Sequence, residues 1–358
     1  MTSKTIAPSP TSFALGFITV FLVGWVLHIS STIMIPFVIA LFVWYLINAM
    51  ARGLSRVNSG GFVIPRPLCF LLAILVLIGG MWFTYKIISA NAQQVVAAAP
   101  QYQKKLETFI PALLASLPQA WQPSRADILS NINVGGFITE LVRTFTDIAG
   151  KTLIVLFYTG FLLYEQRFFS RKLQEMIEKR ETEERIQAVL RNIDIKIQRY
   201  MAVKVVISAA TGILTWLWLS FFAVDFAQFW GVIAFILNFI PYVGSLVAIV
   251  LPSIITLVQF GDLSTLFIVG LGLSAIQITL GSIIDPRMMG DSLNLSPIFI
   301  IFSLAAWGLL WGVPGMFISI PILAMMVIAC AQFPATRPIA IMLSKTGDIE
   351  DGEEKPKK

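Results

Sequence analysis

The chain has 358 residues, of which 57% are hydrophobic and only 13% are charged. Soluble domains carry about 25% charged residues, so this composition excludes an ordinary water-soluble enzyme and indicates a membrane protein. The formal net charge of +6 comes from 26 lysine and arginine residues against 20 acidic residues. Because the basic residues form no cluster with interleaved aromatic residues, we interpret them as an orientation signal and expect no nucleic-acid partner.

Long stretches without a charged residue predict the membrane segments. A helix that crosses the hydrocarbon core needs about 20 predominantly apolar residues. The uncharged stretches are 5–51, 67–85, 205–224, 226–261, 263–284 and 292–336. The first and the last are long enough for two passes each. The sequence therefore predicts an all-α polytopic protein of the lipid bilayer with about eight membrane segments.

The N-terminal region, residues 1–88, is expected to form three transmembrane helices. The first two, 13–28 and 33–51, are separated by a few polar residues, which predicts a tight hairpin. The loop that follows, 52–66, contains three arginines and no acidic residue. Because short cationic loops favour the cytoplasmic side, we expect this loop and the N-terminus to be cytoplasmic.

Two polar regions flank a short apolar helix in the middle of the chain. Residues 89–149 carry apolar side chains at every third or fourth position, which predicts amphipathic helices, and prolines interrupt the pattern at positions 100, 111 and 118. We expect this region on the external side, either covering an entrance or serving only as a packing subdomain. A transmembrane helix, 150–164, connects it to a charged helical segment, 165–204, which we expect in the cytoplasm.

The C-terminal bundle, 205–336, contains two apolar segments, 226–261 and 292–336, that are broken near their middles by proline and glycine. If each segment crosses the membrane once, the charged turn after residue 284 lies outside. If each folds back as a re-entrant hairpin, that turn lies inside. The charge bias mildly favours hairpins, because the arginine of the turn is then cytoplasmic. Both topologies leave the tail, 337–358, in the cytoplasm.

The first break predicts a polar site within the membrane. Proline removes a backbone donor, glycine weakens the neighbouring turn, and unpaired peptide groups in hydrocarbon cost several kcal/mol. Broken helices therefore persist where protein or a water-filled cavity satisfies them, and paired breaks indicate the substrate site of a transporter. The candidate substrate-binding residues here are Asn238, Pro241, Tyr242, Gly244 and Ser245. Asn238 and Tyr242 would supply hydrogen-bonding groups, whereas Pro241 and Gly244 would shape the break.

The second break carries the candidate gating residues Gly312 and Pro314. Gly308 and Gly312 have the G-x-x-x-G spacing of a helix-packing contact. Together with Pro314 and Gly315, they also fit the tip of a second pair of half-helices. For the two glycines alone, the packing interpretation is favoured.

A turn with three charges follows the apolar stretch 263–284. Asp285, Arg287 and Asp291 are candidates for gating or ion coupling, because charges within a membrane are costly and are usually functional or paired. The alternative is a surface turn with a local Asp–Arg pair. Gln277 lies eight residues before Asp285, on roughly the same helix face, and is a further candidate for lining the substrate site.

Groups for catalysis or cofactor binding do not converge in the sequence. The chain has one histidine, His28, and two distant cysteines, Cys69 and Cys330, which cannot form a usual zinc site. The tripeptide GKT at 150–152 lacks the glycine that a phosphate-binding loop needs at position 145. We therefore expect no enzyme activity, no metal and no cofactor.

Three motifs stand out in the second half of the chain: IPYVGS at 240–245, IDPRMMGDSLNLSP at 284–297 and WGLLWGVPGMFISIP at 307–321. In this order and spacing they resemble the autoinducer-2 exporter (AI-2E) family of bacterial permeases, and the similarity extends over about residues 13–333. The resemblance implies a multi-pass, homo-oligomeric secondary transporter of the inner membrane. Members are associated with export of the quorum-sensing signal autoinducer-2, and some with sodium(lithium)/proton antiport.

These observations lead to the hypothesis of a permease that exports a small polar solute, such as autoinducer-2, by alternating access around a site near the bilayer midplane. One alternative is a sodium(lithium)/proton antiporter that moves a monovalent cation, with Asp285 or Asp291 carrying the proton. A third hypothesis is a non-transporting membrane scaffold that binds a partner through the charged segment 165–204.

Overall fold

The computed structural model describes residues 10–56, 65–115, 134–177, 180–289 and 293–347. Within these residues the regular structure is helical, apart from one antiparallel bridge between Leu295 and Ser344. The helices are α1 (Pro10–Ile29), α2 (Ser31–Arg56), α3 (Arg66–Ala115), α4 (Val134–Gly150), α5 (Thr152–Met176), α6 (Arg180–Phe221), α7 (Ala227–Leu237), α8 (Val243–Phe260), α9 (Leu263–Gln277), a π-helix (Ile278–Ile284), α10 (Asp285–Met289), α11 (Pro297–Ala331) and α12 (Arg337–Leu343).

The predicted all-α polytopic fold is confirmed. Among the described residues, six helices are long and apolar enough to cross a membrane, or seven if the bent pair α4–α5 is one span. α1 is a further apolar helix of 20 residues. The predicted number of about eight membrane segments is therefore close to the six or seven candidate spans plus α1. It is approximate, because length and composition do not decide whether a helix crosses the membrane in one straight pass.

Residues 89–115 and 134–149 form a helical pair, and proline does not break the first of these helices at position 100. α3 has 50 residues and continues through Pro100, although proline costs a helix one hydrogen bond. The second half of α3 packs against α4, and this packing offsets the loss. The two helices bury the apolar faces that the periodicity predicted, with Val95, Ala99, Tyr102, Ile138, Leu141, Val142 and Phe145 inside. α3 also continues through position 111, so the predicted interruption there is wrong as well. Position 118 lies outside the described residues.

The chain divides into two compact units. The first unit comprises residues 1–43, 154–178 and 295–358, and the second comprises residues 44–153 and 179–294.

α6 is the longest helix of the second unit after α3, with 42 residues. It runs without interruption from the charged segment into the predicted fifth span, so position 204 is not a helix end. Near its start, Asp194 forms an ion pair with Arg52 of α2, with Oδ2 and Nη2 2.7 Å apart. The end of α2 and the charged part of α6 therefore lie at the same end of this unit.

α7 and α8 form a hairpin. Gln259, at the end of α8, donates from Nε2 to the carbonyl oxygen of Ala223 (2.9 Å), and its Oε1 accepts from the amide of Asp225 (2.8 Å), just before α7. The hairpin thus begins and ends at the same end of the second unit. The alternative that segment 226–261 crosses once is wrong.

From this end, α9 and the π-helix run back along α6. Trp218 of α6 donates to the carbonyl of Val269 at 3.2 Å, and Lys204, four turns earlier on α6, contacts Asp285. Asp285 therefore lies nearer to the start of α6 than Val269 does, which is the direction that the hairpin topology predicts. Asp262, in the exposed turn before α9, accepts hydrogen bonds from the side chain and amide of Thr265, which hold the pKa of its carboxyl below the usual range.

α11, in the first unit, also folds back on itself. Gly312 interrupts the helix with a φ of +63°. The hydroxyl of Ser303 donates to the carbonyl oxygen of Ser319 at 3.1 Å, whereas sixteen residues of straight α-helix would span about 24 Å. The indole nitrogen of Trp311, at the tip, donates to the carbonyl of Leu27 in α1 at 2.9 Å. Both broken segments are hairpins.

Candidate functional site

The tip of the α7–α8 hairpin is shaped by close backbone contacts. Tyr242 has a left-handed backbone conformation with φ +60°, and the amide of Gly244 donates to the carbonyl of Ile240 at 3.0 Å. A Cβ atom on Gly244 would lie 1.8 Å from the carbonyl oxygen of Leu237. Only glycine fits this approach, which explains the break at the predicted position.

Asn238 is buried inside the second unit. It is 5% exposed, and its Nδ2 donates to the hydroxyl of Ser208 on α6 at 3.0 Å. Ser208 is fully buried. The amide of Asn238 at the hairpin tip and the hydroxyl of Ser208 on α6 thus form a buried, uncharged pair, and such groups can exchange their mutual hydrogen bond for bonds to a polar solute.

The other predicted residues of the tip are more accessible. Tyr242 is 58% exposed, and Pro241 and Ser245 are half-buried. Of the two side chains predicted to supply hydrogen-bonding groups, only that of Asn238 is buried.

A buried ion pair joins α6 to the turn after the π-helix. The Nζ atom of Lys204 donates to Oδ2 of Asp285 at 2.8 Å. Asp285 therefore pairs with Lys204 rather than with Arg287, which is exposed. Lys204, the last residue of the predicted charged segment 165–204, is buried, because Asp285 offers it a carboxylate inside the unit. A pair of this kind persists in a low-dielectric interior since each charge satisfies the other.

Three polar atoms on the helices of this ion pair have no hydrogen-bond partner among the described residues. They are Oδ1 of Asp285, Oε1 of Gln277 and the hydroxyl of Tyr200. Tyr200 is close enough to Asp285 for an electrostatic interaction. A buried polar atom without a partner costs about 1–3 kcal/mol, so native proteins keep few of them without a functional reason.

A stripe of polar side chains follows the buried face of α6. Its members repeat every three or four residues and are each at most 7% exposed: Tyr200, Lys204, Ser208, Thr211 and Thr215. Residues with this spacing share one helix face. The stripe carries polar groups from the charged end of α6 into its apolar part.

The stripe brings two of the predicted sites together. Asn238 meets it at Ser208, and Asp285 meets it one turn away at Lys204. Sequence reasoning missed Lys204 and Ser208 as partners of these residues. The regular spacing of polar residues along α6 was the pattern that could have identified them.

The remaining predicted residues lie elsewhere. Asp291 lies outside the described residues. Gly312 forms the tip of the α11 hairpin in the first unit, with Pro314 half-buried beyond it. Gly312 breaks the helix with its positive φ, and a Cβ there would have no heavy atom of the described residues within 4 Å. A Cβ on Gly308 would lie 2.8 Å from Cε of Met316, and one on Gly315 would lie 1.9 Å from the carbonyl oxygen of Trp307.

The described residues contain no group of three or more His, Cys, Asp or Glu side chains that could hold a metal ion. The polar cluster of the second unit instead offers hydrogen bonds and one ion pair. Together with the apolar helices and the two hairpins, it defines a multi-pass membrane protein with polar groups inside its helical bundle.

Comparison with known proteins identifies the family. The profile of the AI-2E family transporter matches residues 15–335, and the chain belongs to this family of membrane transport proteins. It is 29% identical over 334 residues to the AI-2 transport protein TqsA of Escherichia coli (strain K12), covering 92% of this chain and 94% of TqsA. It is 26% identical over 346 residues to a candidate transport protein of Haemophilus influenzae, covering 94% and 96% of the two chains.

Proposed function

We propose that the protein is a secondary transporter that exports a small polar solute by alternating access. The observation that carries the proposal is the buried contact between Asn238, at the tip of a hairpin, and Ser208 of α6. A broken helix inside a membrane is stable only where protein or a water-filled cavity satisfies its polar groups. In transporters of known mechanism, such breaks form the substrate site.

Autoinducer-2 is the solute we propose first. The support is the similarity over nearly the whole chain to a relative named for AI-2 transport. The predicted substrate-binding groups of the tip, Asn238, Tyr242 and Ser245, are uncharged, and Gln277 adds an amide on α9. Uncharged donors and acceptors suit a neutral polar solute, because burying an unpaired charge would cost far more.

A sodium(lithium)/proton antiporter is the second candidate. The observation that favours it is the Asp285 carboxylate, whose Oδ1 is buried and without a partner among the described residues. A buried carboxylate with a free oxygen can take up a proton or a monovalent cation. In either case an ion gradient, or the gradient of the solute, would drive transport.

We place the protein in the inner membrane as a homo-oligomer, with both termini in the cytoplasm. Support for this orientation is the arginine-rich segment 52–66. Its first residue, Arg52, lies in α2 and pairs with Asp194 in the charged part of α6. The proposal of a homo-oligomer rests on the resemblance to the family alone.

Flux into inside-out vesicles tests the proposed function. Asn238→Ala is expected to reduce autoinducer-2 uptake at least tenfold, because a lost hydrogen-bonding group in a polar site costs about 1–3 kcal/mol. The matched control is Asn91→Ala in α3, where Nδ2 donates to the carbonyl of its own helix at Ile87; its flux should equal that of the wild type.

Equal flux in the wild type and the Asn238→Ala variant would remove the site assignment. Movement of sodium or lithium against protons, without movement of solute, would favour the antiporter. If neither solute nor ion moves, while deletion of 180–194 abolishes binding of a partner protein, the protein is a scaffold.

A further inference from the structure

α9, the π-helix and α10 form one continuous helix, and the spacing of its buried residues changes at the π-helix. The buried residues are Val269, Leu273, Gln277, Leu280 and Asp285, so the steps are four, four, three and five residues. An α-helix keeps one face buried with steps of three or four. In a continuous α-helix the position after 280 on this face would be 284.

The five-residue step follows from the hydrogen bonding of the π-helix. The amide of Asp285 donates to the carbonyl of Leu280, five residues earlier. A π turn takes up one residue more than an α turn, so Gln277 and Asp285 lie about 20° apart around the axis instead of about 80°. Without the π turn, Asp285 would not face Lys204.

A continuous α-helix would place Ile284 in the buried position. Asp285 would then be rotated about the axis by about 100°. Ile284 already packs against the apolar cluster of Val203, Ile207 and Leu280. In the observed π register Asp285 has its ion pair with Lys204, and Ile284 already has apolar neighbours in this cluster. In the α register Ile284 would keep apolar neighbours on α6, while Lys204 would lose its partner.

Two residues of this turn lower the cost of a change in register. Gly281 lies in the middle of the π-helix, and a Cβ there would have no heavy atom within 4 Å, so the backbone has freedom and space to move. Pro286 has no amide hydrogen and donates no backbone hydrogen bond in either register. Single π turns inside α-helices are frequent at functional sites.

We propose that the helix from α9 to α10 is a two-register switch. The ion pair between Lys204 and Asp285 holds the π register, and release of the pair returns the helix to the α register, which places Ile284 opposite position 204. Arg287 rotates with Asp285. The register change itself does not depend on transport. Its proposed consequence is a signal along α6 from Lys204 to Ser208, which contacts Asn238 of the hairpin tip. This consequence rests on the proposed function.

Cross-linking of the full-length protein in membranes tests the switch without a transport assay. In a background of Cys69→Ser and Cys330→Ser, Lys204→Cys is combined with either Asp285→Cys or Ile284→Cys and treated with a short bifunctional thiol reagent. Replacing Lys204 removes the ion pair, so the α register is favoured in both combinations and the π register becomes the minor one. Both combinations are still expected to cross-link, because covalent trapping collects even a register populated at about 0.1–10%. Peptide mass spectrometry identifies the product. Cross-linking of position 204 to position 285 alone would overturn the proposal.

A one-residue deletion is the matched control. Deletion of Gly281 removes the extra residue, so a continuous α-helix then keeps Asp285 opposite Lys204 and has no second register. In this variant only position 285 is expected to cross-link to position 204. If position 284 cross-links as well, the reach of the reagent explains the product and a change of register does not. That result would overturn the proposal. Ser282→Cys, on the exposed face, should give no product in either background. If the deletion variant does not fold, the absence of a product between positions 204 and 284 in the full chain still overturns the proposal.

The same deletion separates the switch from the proposed function. A folded deletion variant without flux, beside an active wild type, supports a role of the register change in transport. An active deletion variant with both cysteine pairs cross-linking in the full chain leaves the switch supported and removes it from the transport mechanism.

Discussion

The Nζ atom of Lys204 lies 2.8 Å from Oδ2 of Asp285, and the two side chains are 8% and 11% exposed. Removing two charges from water costs several kcal/mol per ion, which the attraction between them offsets only while both are present. The two residues therefore behave as one neutral unit inside the second unit of the fold. Removing either partner leaves a buried charge without compensation.

Substitution of one partner is expected to destabilise the protein. Lys204→Met or Asp285→Leu alone should lower the free energy of unfolding by roughly 3–5 kcal/mol, whereas the double variant should lose much less. Thermal unfolding of the purified protein in detergent measures the difference. The control is Arg52→Met. Arg52 forms an ion pair with Asp194, and the two side chains are 47% and 33% exposed. This substitution should lower the free energy of unfolding by only about 0–1 kcal/mol. A double variant as unstable as both single variants together would contradict this account of the pair.

The unpartnered hydroxyl of Tyr200 is expected to cost stability and to serve function. Tyr200→Phe removes a buried polar atom without a partner, so the melting temperature should stay the same or rise. Flux should fall if the hydroxyl belongs to the transport site. The matched control is Tyr102→Phe, because the Tyr102 hydroxyl donates to Asp225 at 2.9 Å; its loss should lower stability by about 1.5–3 kcal/mol. A large loss of stability in Tyr200→Phe would show that its hydroxyl has a partner.

Gly244 is expected to tolerate no side chain. In Gly244→Ala the new Cβ would lie 1.8 Å from the Leu237 carbonyl oxygen, so the hairpin tip must shift, at a cost of about 1–3 kcal/mol or more. Gly80→Ala in α3 is the control, because a Cβ there has no heavy atom within 4 Å, and alanine should favour the helix by about 0.5–1 kcal/mol. Melting temperatures compare the variants; an unchanged value for Gly244→Ala would contradict the tight turn.

The hairpin topology predicts on which side two turns are labelled. A membrane-impermeant thiol reagent should reach Met288→Cys from the cytoplasmic side and Ser264→Cys from the opposite side, because one helix connects the two turns. The variants are made without the native cysteines, and right-side-out and inside-out vesicles are compared. Labelling of both positions from one side would contradict the topology.

The helix breaks could be predicted from sequence because proline and glycine act locally. Pro241 and Gly244 interrupt an apolar segment, and the structure places the turn at these residues. The choice between hairpins and single crossings depended on contacts between distant residues. The sequence offered only one arginine for that choice, whereas the contact of Gln259 with Ala223 and that of Ser303 with Ser319 decide it.

Only one partner of the ion pair, Asp285, could be predicted from the sequence. Asp285 was a candidate because it ends an apolar stretch, but Lys204 is preceded by many charged residues and was grouped with them. A π turn cannot be recognised from periodicity when its extra residue falls among apolar neighbours, and this turn decides that Asp285 faces Lys204. Pairing across two helices depends on their register, which neither segment specifies alone.

The central claim is that the tip of the α7–α8 hairpin borders a polar path that opens in turn to both sides of the membrane. Thiol labelling of Ser245→Cys, in a variant without native cysteines, tests it most directly. Ser245 is half-buried beside the turn. We expect a small impermeant reagent to label it from each side in separate experiments, and transported solute to slow the reaction. No labelling from either side, in a protein that still moves solute, would contradict the claim.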